Sequence, residues 1–402
     1  MPEPTATVRT GRLPDRLWLP VLAAAALFGC VLIVLLVRTG FDPSKLVRAA
    51  PPWTDPALTL PSLTVLPAEY GFDGQFFYRL AIAPFSTAPT VAGVTFDIPA
   101  MRGSRWGLGV VAFVASFGQP ALVPAALLIV NGCALVVISL IGGMFAQSSG
   151  HHAGWGLLFA LWPGFAYSLT LDTSEILTSA FLLGALLAAR RQAFGWAAIL
   201  MTAAVLTRET AMVGAVALLI AGLWSRFGPN RGGVAAPKPN GQWIAGAVAI
   251  AALAGSQLVQ RMLHGQLPFS AAAGNNAGLP FVGLLTALGE SVSDPDPGNL
   301  VRLISLLFVL GMIAVGATVF SASSARLAEK LAWCGSVLLF VVLNGNPLVN
   351  APSFLRAGTE LGLLTVILLL GARSRLLVPT AITMATLAAA SVGAMVIKMP
   401  PG

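Results

Sequence analysis

One short polar segment stands out in this chain, EYGFDGQFFYRL at residues 69–80. Its carboxylate, Asp73, lies between two glycines and is followed by the aromatic residues of QFFYRL and by Arg79. Because Asp and Gly favour tight turns, Asp73 is consistent with a solvated turn. The aromatic residues and Arg79 instead predict an amphipathic helix at a membrane interface. Such a helix would hold Asp73 at the depth of lipid headgroups, where a carboxylate can serve as a general base.

A second polar segment, FDIPAMRGSRW, follows in the same region of the chain. Arg102 and Arg105 are three residues apart, so they share a face if the segment is helical. Two guanidiniums on one face would hold a phosphate. Anchoring of Arg and Trp at the end of an apolar segment explains the same pattern. Asp97 precedes the pair and is a further candidate for substrate binding.

The segment SLTLDTSEIL places two acids, Asp172 and Glu175, between two apolar runs. It also has the pattern of a helix start, with Thr173 or Ser174 as the N-cap and Glu175 in the first turn. Capping accounts for Glu175 better than it accounts for Asp172. Both acids are therefore candidate site residues.

Two further segments pair an arginine with a nearby glutamate. VLTRETAM carries Arg208 and Glu209 at the tip of a predicted hairpin, and SFLRAGTELG carries Arg356 and Glu360 with i,i+4 spacing. Ionisable residues beside a bilayer are candidates for function. A local salt bridge within each pair is the alternative.

The remaining reactive residues indicate what the chain lacks. His264 is a single histidine in LHGQLP and makes neither a zinc site nor a hydrolase triad. The sequence contains no HExxH, GxSxG or P-loop motif. The three cysteines lie within apolar runs and predict no disulfide framework. These absences argue against an intramembrane metalloprotease and an ATP-driven pump.

The elements that must position these residues are apolar helices. The chain has 402 residues, of which 56% are hydrophobic and 9% charged, and a mean hydropathy of +0.84. Soluble domains carry roughly 25% charged residues, and a helical span needs about 20 apolar ones. The sequence therefore predicts an all-α polytopic membrane protein of about 11 spans, at residues 17–37, 121–145, 153–169, 175–189, 194–207, 210–225, 243–262, 300–320, 330–345, 360–372 and 377–397.

The net charge of +8 follows the positive-inside rule rather than indicating nucleic acid, since no basic run with interleaved aromatics occurs. The predicted cytoplasmic side carries 12 bases and 3 acids, a net charge of 12 − 3 = +9. The outer side then carries 11 bases and 12 acids, a net charge of 11 − 12 = −1. The run 17–37 is too long for a signal peptide, so the first helix is retained with its N-terminus in the cytoplasm. The cytoplasmic set is Arg9, Arg12, Arg16, Arg190, Arg191, Arg226, Arg231, Lys238, Arg326, Lys330, Arg373 and Arg375, with Glu3, Asp15 and Glu329.

The loops divide the chain into three predicted parts. Residues 1–225 form a transmembrane module with a long outer loop at 38–120 that contains juxtamembrane helices. Within this loop, residues 106–117 are too short to cross the membrane and predict a juxtamembrane or half-inserted helix. Residues 226–242 read as a Gly- and Pro-rich cytoplasmic linker. Residues 243–402 form a second transmembrane region with an outer loop at 263–298.

Taken together, YGFDGQFFYRLA, FDIPAMRGSRW, LDTSEIL and LTRETA resemble the GT-C superfamily of polyprenyl-phosphate-dependent glycosyltransferases. More narrowly, they resemble a bacterial subgroup associated with cell-surface glycopolymer formation. The resemblance covers residues 15–225, and DGQFFYRLA is its most specific element. It implies a GT-C-like helical bundle in the bacterial cytoplasmic (inner) membrane. There, a hexose or pentose would pass from an undecaprenyl- or decaprenyl-phosphate carrier to a cell-envelope glycan or glycolipid on the outer face.

The resemblance also implies roles for the candidate residues. Asp73 matches the catalytic base of an inverting transfer, and the phosphate leaving group would be bound by arginines and histidines of the outer loops, here Arg102, Arg105, Arg208, Arg356 and His264. Arg79, Asp97 and Glu209 are further substrate-binding candidates. Many members have paired acids in the first loop, whereas Gly74 follows Asp73 here. The need for a divalent cation therefore stays open, with Asp172 or Glu175 as the second acid.

Two other functions fit parts of the sequence. A transporter or flippase of lipid-linked sugars would use Arg208 and Arg356 to escort the phosphate, but it should carry ionisable groups near mid-membrane. A polymerase or ligase of the O-antigen type is a third reading, and it is still an outer-face transferase. One outer cavity holding Asp73, Asp172 and Arg208 would favour transfer, and a central two-sided cavity would favour transport.

Overall fold

The computed structural model describes residues 15–67, 71–228, 241–294 and 296–399. Five charged residues of the predicted cytoplasmic set, Glu3, Arg9, Arg12, Arg231 and Lys238, lie outside these ranges, as does most of the predicted linker at 226–242. Within them the fold is helical apart from one short hairpin. The all-α prediction is confirmed.

Eleven helices and the hairpin occupy the first described part, up to residue 228. They are α1 (Trp18–Arg38), α2 (Ser44–Val47), α3 (Gly74–Ile82), β1 (Thr90–Val91), β2 (Val94–Thr95), α4 (Pro99–Ser104), α5 (Gly107–Ala115), α6 (Val123–Ser148), α7 (Gly156–Ala160), α8 (Pro163–Thr170), α9 (Glu175–Arg190), α10 (Phe194–Thr207) and α11 (Met212–Phe227). The strands pair antiparallel, Thr90 with Thr95 and Val91 with Val94.

Eight helices follow from residue 242. They are α12 (Gln242–His264), α13 (Pro268–Asn276), α14 (Val282–Ser293), α15 (Pro297–Val319), α16 (Leu327–Val341), α17 (Ala351–Ala357), α18 (Thr359–Ala372) and α19 (Leu377–Ile397). Single 3-10 turns cover Pro120–Leu122, Ala153–Trp155, Glu209–Ala211 and Asn346–Leu348.

Six helical segments in the described chain are long and apolar enough to cross a membrane. They contain α1, α6, α11, α12, α15 and α19, and α17 with α18 makes a seventh if the pair, bent by 53°, counts as one span. The chain is therefore a multi-pass membrane protein by length and composition, while the expected count of about 11 is not confirmed. The predicted runs at 153–169, 175–189, 194–207 and 330–345 form shorter helices.

Helix length explains the difference. The 16 residues of α9 rise about 24 Å, which is less than the roughly 30 Å of a hydrocarbon core. The run at 153–169 is interrupted because Trp162 is extended and Pro163, which cannot continue a helix from α7, begins α8. Hydropathy windows count such buried apolar helices together with spans.

The centre of the bundle is formed by α8, α9 and α18, whose residues are almost all buried. Trp162 is their largest shared side chain: its Nε1 donates to the Leu355 carbonyl at 2.7 Å, and a Cβ at Gly362 would collide with its ring. This packing fixes the first residue of α9 against the bend between α17 and α18. Both places carry candidate site residues.

Helix α9 also separates two charged ends of the bundle. Its first residue, Glu175, contacts Arg208 and Arg356, and its last, Arg190, pairs with Glu329. At the Arg190 end, the Asp15 carboxylate accepts from the Ala153 amide. The outer-loop candidates and part of the predicted cytoplasmic set thus gather at opposite ends of the same helix.

Helix α3 forms where the sequence predicts it, but its side chains do not lie on a membrane surface. Phe76, Phe77 and Tyr78 are buried in the protein. Arg79 is buried as well: its Nη1 donates to the carbonyls of Pro89 at 2.7 Å and Val94 at 3.2 Å. Because carbonyls of the hairpin satisfy its charge, this arginine holds β1 and β2 against α3 instead of reaching lipid.

Candidate active site

A cavity of about 570 Å³ lies at the Glu175 end of the bundle. Eight charged residues line it, from four well-separated parts of the sequence: Asp73, Asp97, Arg102, Arg105, Arg208, Glu209, Arg356 and Glu360. Six of them come from the first 225 residues and two, Arg356 and Glu360, from the C-terminal region. The structure therefore brings together most of the residues that the sequence singles out.

Asp73 precedes the first turn of α3 but does not cap it. A helix-start Asp usually accepts a backbone N–H, whereas the Asp73 side chain makes no capping hydrogen bond. Its Oδ1 lies 3.0 Å from Nη1 of Arg102, and its Oδ2 lies 3.4 Å from Nη1 of Arg356. The side chain is 30% exposed, against 10% for Arg102, so the carboxylate is the accessible member of the cluster.

The surrounding guanidiniums control the charge of Asp73. Burial alone would raise its pKa, but Arg102, Arg356, Arg105 and Arg208 together hold the pKa well below its ordinary value of 3.8. Burial would likewise lower the pKa of Arg102, yet Asp73 and Asp97 raise it above the usual arginine value. Both groups are therefore charged across the physiological range.

Arg102 is held by several contacts at once. Its Nε and Nη2 donate to the two oxygens of Asp97, each at 2.8 Å, while its Nη1 faces Asp73. The guanidinium also stacks over the Phe76 ring, 4.3 Å from the centroid. A planar group fixed on every side is a rigid support for Asp73.

The ion pairs continue across the cavity. Arg356 also approaches Glu175 Oε1 at 3.6 Å, and Arg208 bonds to the same oxygen. Glu175 is buried and accepts from the Ser168 hydroxyl at 3.1 Å. Separately, Arg105 holds Glu209 through both oxygens, with Nε to Oε2 at 2.8 Å. Arginines from three segments of the sequence thus pair with acids from four segments.

The local salt bridges considered as alternatives do not form: in the described chain no ion pair within 4.0 Å joins Arg208 to Glu209 or Arg356 to Glu360. Arg208 is extended, with φ −156° and ψ 128°, and neighbouring side chains on extended backbone point apart. Arg356 lies in the last turn of α17, whereas Glu360 lies beyond the bend, in the first turn of α18. The bend removes the i,i+4 geometry.

The rest of the cavity wall is neutral. It includes Thr210, Ser336, Phe340, Asn346 and Ser353. Thr210 and Glu360 lie inside segments that the sequence singles out, although neither is among the site residues that the sequence predicts. Ser336 and Phe340 carry no signal in the sequence, since they belong to an apolar helix.

Asp172 does not line the cavity. It is wholly buried in the turn before α9, has a positive φ of 48°, and neither carboxylate oxygen has a hydrogen-bond partner within the described residues. Burial raises its pKa well above the ordinary 3.8. Of the three residues whose grouping in one cavity would favour transfer, Asp73 and Arg208 line this cavity and Asp172 does not. The turn that contains Asp172 nevertheless packs beside Asp73, because the carbonyl of Leu171 lies against Gly74, the residue after Asp73.

Arg79 and His264 line a different cavity, of about 610 Å³. Helix α4 separates the two spaces: Pro99 and Gly103 face this second cavity, and Met101 and Arg102 face the first. The structure thus does not bring His264 to the arginines with which the sequence grouped it.

The donor set does not suit a divalent cation. The described residues contain no group of three or more His, Cys, Asp or Glu side chains that could hold a metal ion. Asp73 and Asp97 both face Arg102, and Asp172, proposed as the second acid, is buried away from the cavity. A guanidinium lies beside Asp73, Asp97 and Glu209, where a cation would otherwise bind, so no step below uses a metal.

No protein-family model matches this chain, and no curated protein or solved structure matches it either.

Proposed function

We propose that this protein is a membrane glycosyltransferase that moves a sugar from a polyprenyl-phosphate donor to a cell-envelope glycan or glycolipid. In this proposal it lies in the bacterial cytoplasmic membrane, with the cavity facing outward. The resemblance of its outer-loop segments to the GT-C superfamily suggests the reaction. The observation that carries the proposal is one accessible carboxylate, Asp73, on a cavity lined by four arginines.

The four arginines suit the leaving group of such a reaction. A polyprenyl phosphate gains negative charge as its bond to the sugar breaks, and arginine supplies fixed positive charge that does not titrate. Arg105, Arg208 and Arg356 each touch the cavity and each hold an acid of the protein. They are therefore held in place before the phosphate arrives, which lowers the cost of ordering them on binding.

The transfer step uses Asp73 as base. An acceptor hydroxyl oxygen attacks the anomeric carbon, and its proton passes to the Asp73 carboxylate. The bond between the anomeric carbon and the phosphate oxygen breaks, and its electron pair stays on the phosphate. Attack opposite the leaving group inverts the anomeric centre. The donor is already activated, so the reaction needs no ATP site.

Donor binding would also prepare the base. A carboxylate with a strongly lowered pKa is a weak base, and Arg102 and Arg356 keep the pKa of Asp73 low. A phosphate that bonds to Arg356 would partly neutralise that positive field and raise the pKa of Asp73. The carboxylate would thus become a stronger base only when the substrate is present.

The test follows release of free polyprenyl phosphate by purified protein in nanodiscs, supplied with polyprenyl-phosphate sugars and a cell-envelope acceptor. Wild type should release it, and Asp73→Asn should lower the rate at least 100-fold, because base catalysis contributes about 10²–10⁴-fold. Asp55→Asn is the matched control, since Asp55 is an exposed carboxylate in the same outer segment that only bonds to the Ala57 amide. Its rate should equal that of wild type.

Equal rates for wild type and Asp73→Asn would remove Asp73 from the mechanism. No release with any donor, together with translocation of lipid-linked sugar across liposomes, would establish the alternative function of a flippase.

A further inference from the structure

One wall of the candidate active site is built differently from the arginine wall. It comes from the 3-10 turn before α11, the second half of α16 and the start of α18, and its side chains are hydroxyls, an aromatic ring and one carboxylate: Thr210, Ser336, Phe340 and Glu360. The pieces fit closely, because Thr210 Oγ1 donates to Glu360 Oε1 at 2.9 Å. We call these four residues the hydroxyl wall.

Ser336 is the unexplained member of the hydroxyl wall. It is 95% buried, lines the cavity, and its Oγ has no hydrogen-bond partner among the described residues. A serine in a helix interior usually bonds to the carbonyl four residues before it, as Ser291 does in α14. A buried hydroxyl without a partner is costly unless a ligand or water completes it. The Ser336 hydroxyl is thus a hydrogen-bond donor and acceptor that lines the cavity without a partner in the described chain.

Glu360 differs from the other cavity acids. Asp73, Asp97 and Glu209 each have an arginine within 4.0 Å, but no ion pair to Glu360 occurs in the described chain. Among the described residues, the side chain that hydrogen-bonds to it is the neutral Thr210. In its ionised form such a carboxylate accepts hydroxyl donors and has no proton to donate to a second carboxylate.

The hydroxyl wall and the arginines line the same cavity. Thr210 lies in the 3-10 turn that directly follows Arg208, and its hydroxyl bonds to Glu360. A phosphate held by Arg208 and Arg356 would therefore place the group attached to it against Ser336, Phe340 and Glu360. Phe340 shares a helix face with Ser336, four residues away, and supplies an apolar surface for the C–H face of a ring.

We infer that the hydroxyl wall binds the transferred sugar and selects an uncharged one, with Ser336 and Glu360 as the specificity-determining residues. This inference rests on the proposed function. Each arginine of the cavity holds an acid of the protein, and the phosphate would take up the remaining hydrogen-bonding capacity of Arg208 and Arg356. A hexuronic acid would place a second carboxylate beside Glu360, whereas the hydroxyls of a neutral pentose or hexose match Ser336 and Glu360.

The test measures binding, by calorimetry in nanodiscs, of three probes: undecaprenyl phosphate, the same lipid carrying a neutral hexose, and the same lipid carrying a hexuronic acid. Wild type should bind the hexose lipid at least tenfold more tightly than the hexuronic acid lipid. Ser336→Ala and Glu360→Gln should each lower the affinity for the hexose lipid about tenfold, which is the effect of losing one buried hydrogen bond. Both variants should bind undecaprenyl phosphate with the wild-type affinity.

Ser305→Ala is the matched control, because Ser305 is equally buried at 5% and lines neither cavity. It should bind all three probes as wild type does. Unchanged binding of the hexose lipid by Ser336→Ala and Glu360→Gln, or equal wild-type affinity for both sugar lipids, would overturn the inference and leave the proposed function intact. Failure of wild type to bind even undecaprenyl phosphate would overturn both.

Discussion

Two aspartates of this protein, Asp73 and Asp172, lie in surroundings that drive them to opposite protonation states. Arginines keep Asp73 ionised, and burial without a partner keeps Asp172 neutral. Pairs of acids separated in this way often have different roles in one site. Here the ionised acid faces the cavity and the neutral acid supports the turn behind it, so the two act at different places.

Asp172→Asn tests the neutral state of that acid. Since the folded protein keeps the proton that the unfolded chain releases above the ordinary pKa of 3.8, stability should fall as the pH rises from about 4. The amide removes this dependence. We expect Asp172→Asn in detergent to unfold at the wild-type temperature at about pH 3.5, where the acid is neutral in both the folded and the unfolded chain, and at a higher temperature at pH 8.

Asp42→Asn is the contrasting variant. Burial alone would raise the pKa of Asp42, but hydrogen bonds from Ser44 and Thr64 lower it below its ordinary value. This carboxylate is ionised in the folded protein, so its replacement should cost about 1 kcal/mol at neutral pH. Strong destabilisation by Asp172→Asn at pH 8 would instead mean that Asp172 is a paired carboxylate.

At the scale of elements, the position of Asp73 depends on how closely α3 approaches the turn before α9. The first residue of α3, Gly74, packs against the carbonyls of Leu171 and Val47, and a Cβ there would lie 2.7 Å from the Val47 oxygen. A second acid directly after Asp73 would therefore not fit at this position.

Gly74→Ala should displace α3 and with it the Asp73 carboxylate. We expect a loss of about 1–3 kcal/mol in the free energy of unfolding and at least a tenfold lower rate of polyprenyl phosphate release, measured in nanodiscs. Gly255→Ala in α12 is the control, because no atom lies within 4 Å of the added Cβ. It should keep full activity and gain up to about 1 kcal/mol. Full activity in Gly74→Ala would show that this contact does not position the base.

Elements with local signals could be predicted from the sequence. The start of α9 at Glu175, helix α3 and the short α5 within 106–117 all appear where capping, aromatic and length signals place them. The side-chain partners could not be predicted in the same way. Arg105 pairs with Glu209 across 104 positions, and such contacts depend on packing that no local pattern encodes.

At the scale of the whole molecule, the candidate site joins the two halves of the chain. The resemblance covers residues 15–225, yet Arg356 and the hydroxyl wall's Ser336 and Glu360 come from the C-terminal region. A module ending at 225 would leave Asp73 with one of its two bonded guanidiniums. The structure therefore makes residues 243–399 part of the site and not a separate region.

The separation of charge along the bundle is also a property of the whole chain. Arg190 and Glu329 pair at one end, and Asp73, Arg102 and Arg208 lie at the other. The positive-inside bias of the sequence predicts that the Arg190 end is cytoplasmic. The site would then open to the side where lipid-linked sugars meet their acceptors.

The proposed transfer requires the Asp73 cavity to receive a lipid-borne phosphate, with the anomeric carbon of the sugar facing Asp73. Its most direct test is a cryo-EM structure with a phosphonate analogue of an undecaprenyl-phosphate hexose, in which carbon replaces the oxygen that would leave. We expect phosphonate oxygens about 2.8 Å from guanidinium nitrogens of Arg208 and Arg356, with the anomeric carbon facing Asp73. A phosphonate bound elsewhere, with the cavity empty, would contradict the account.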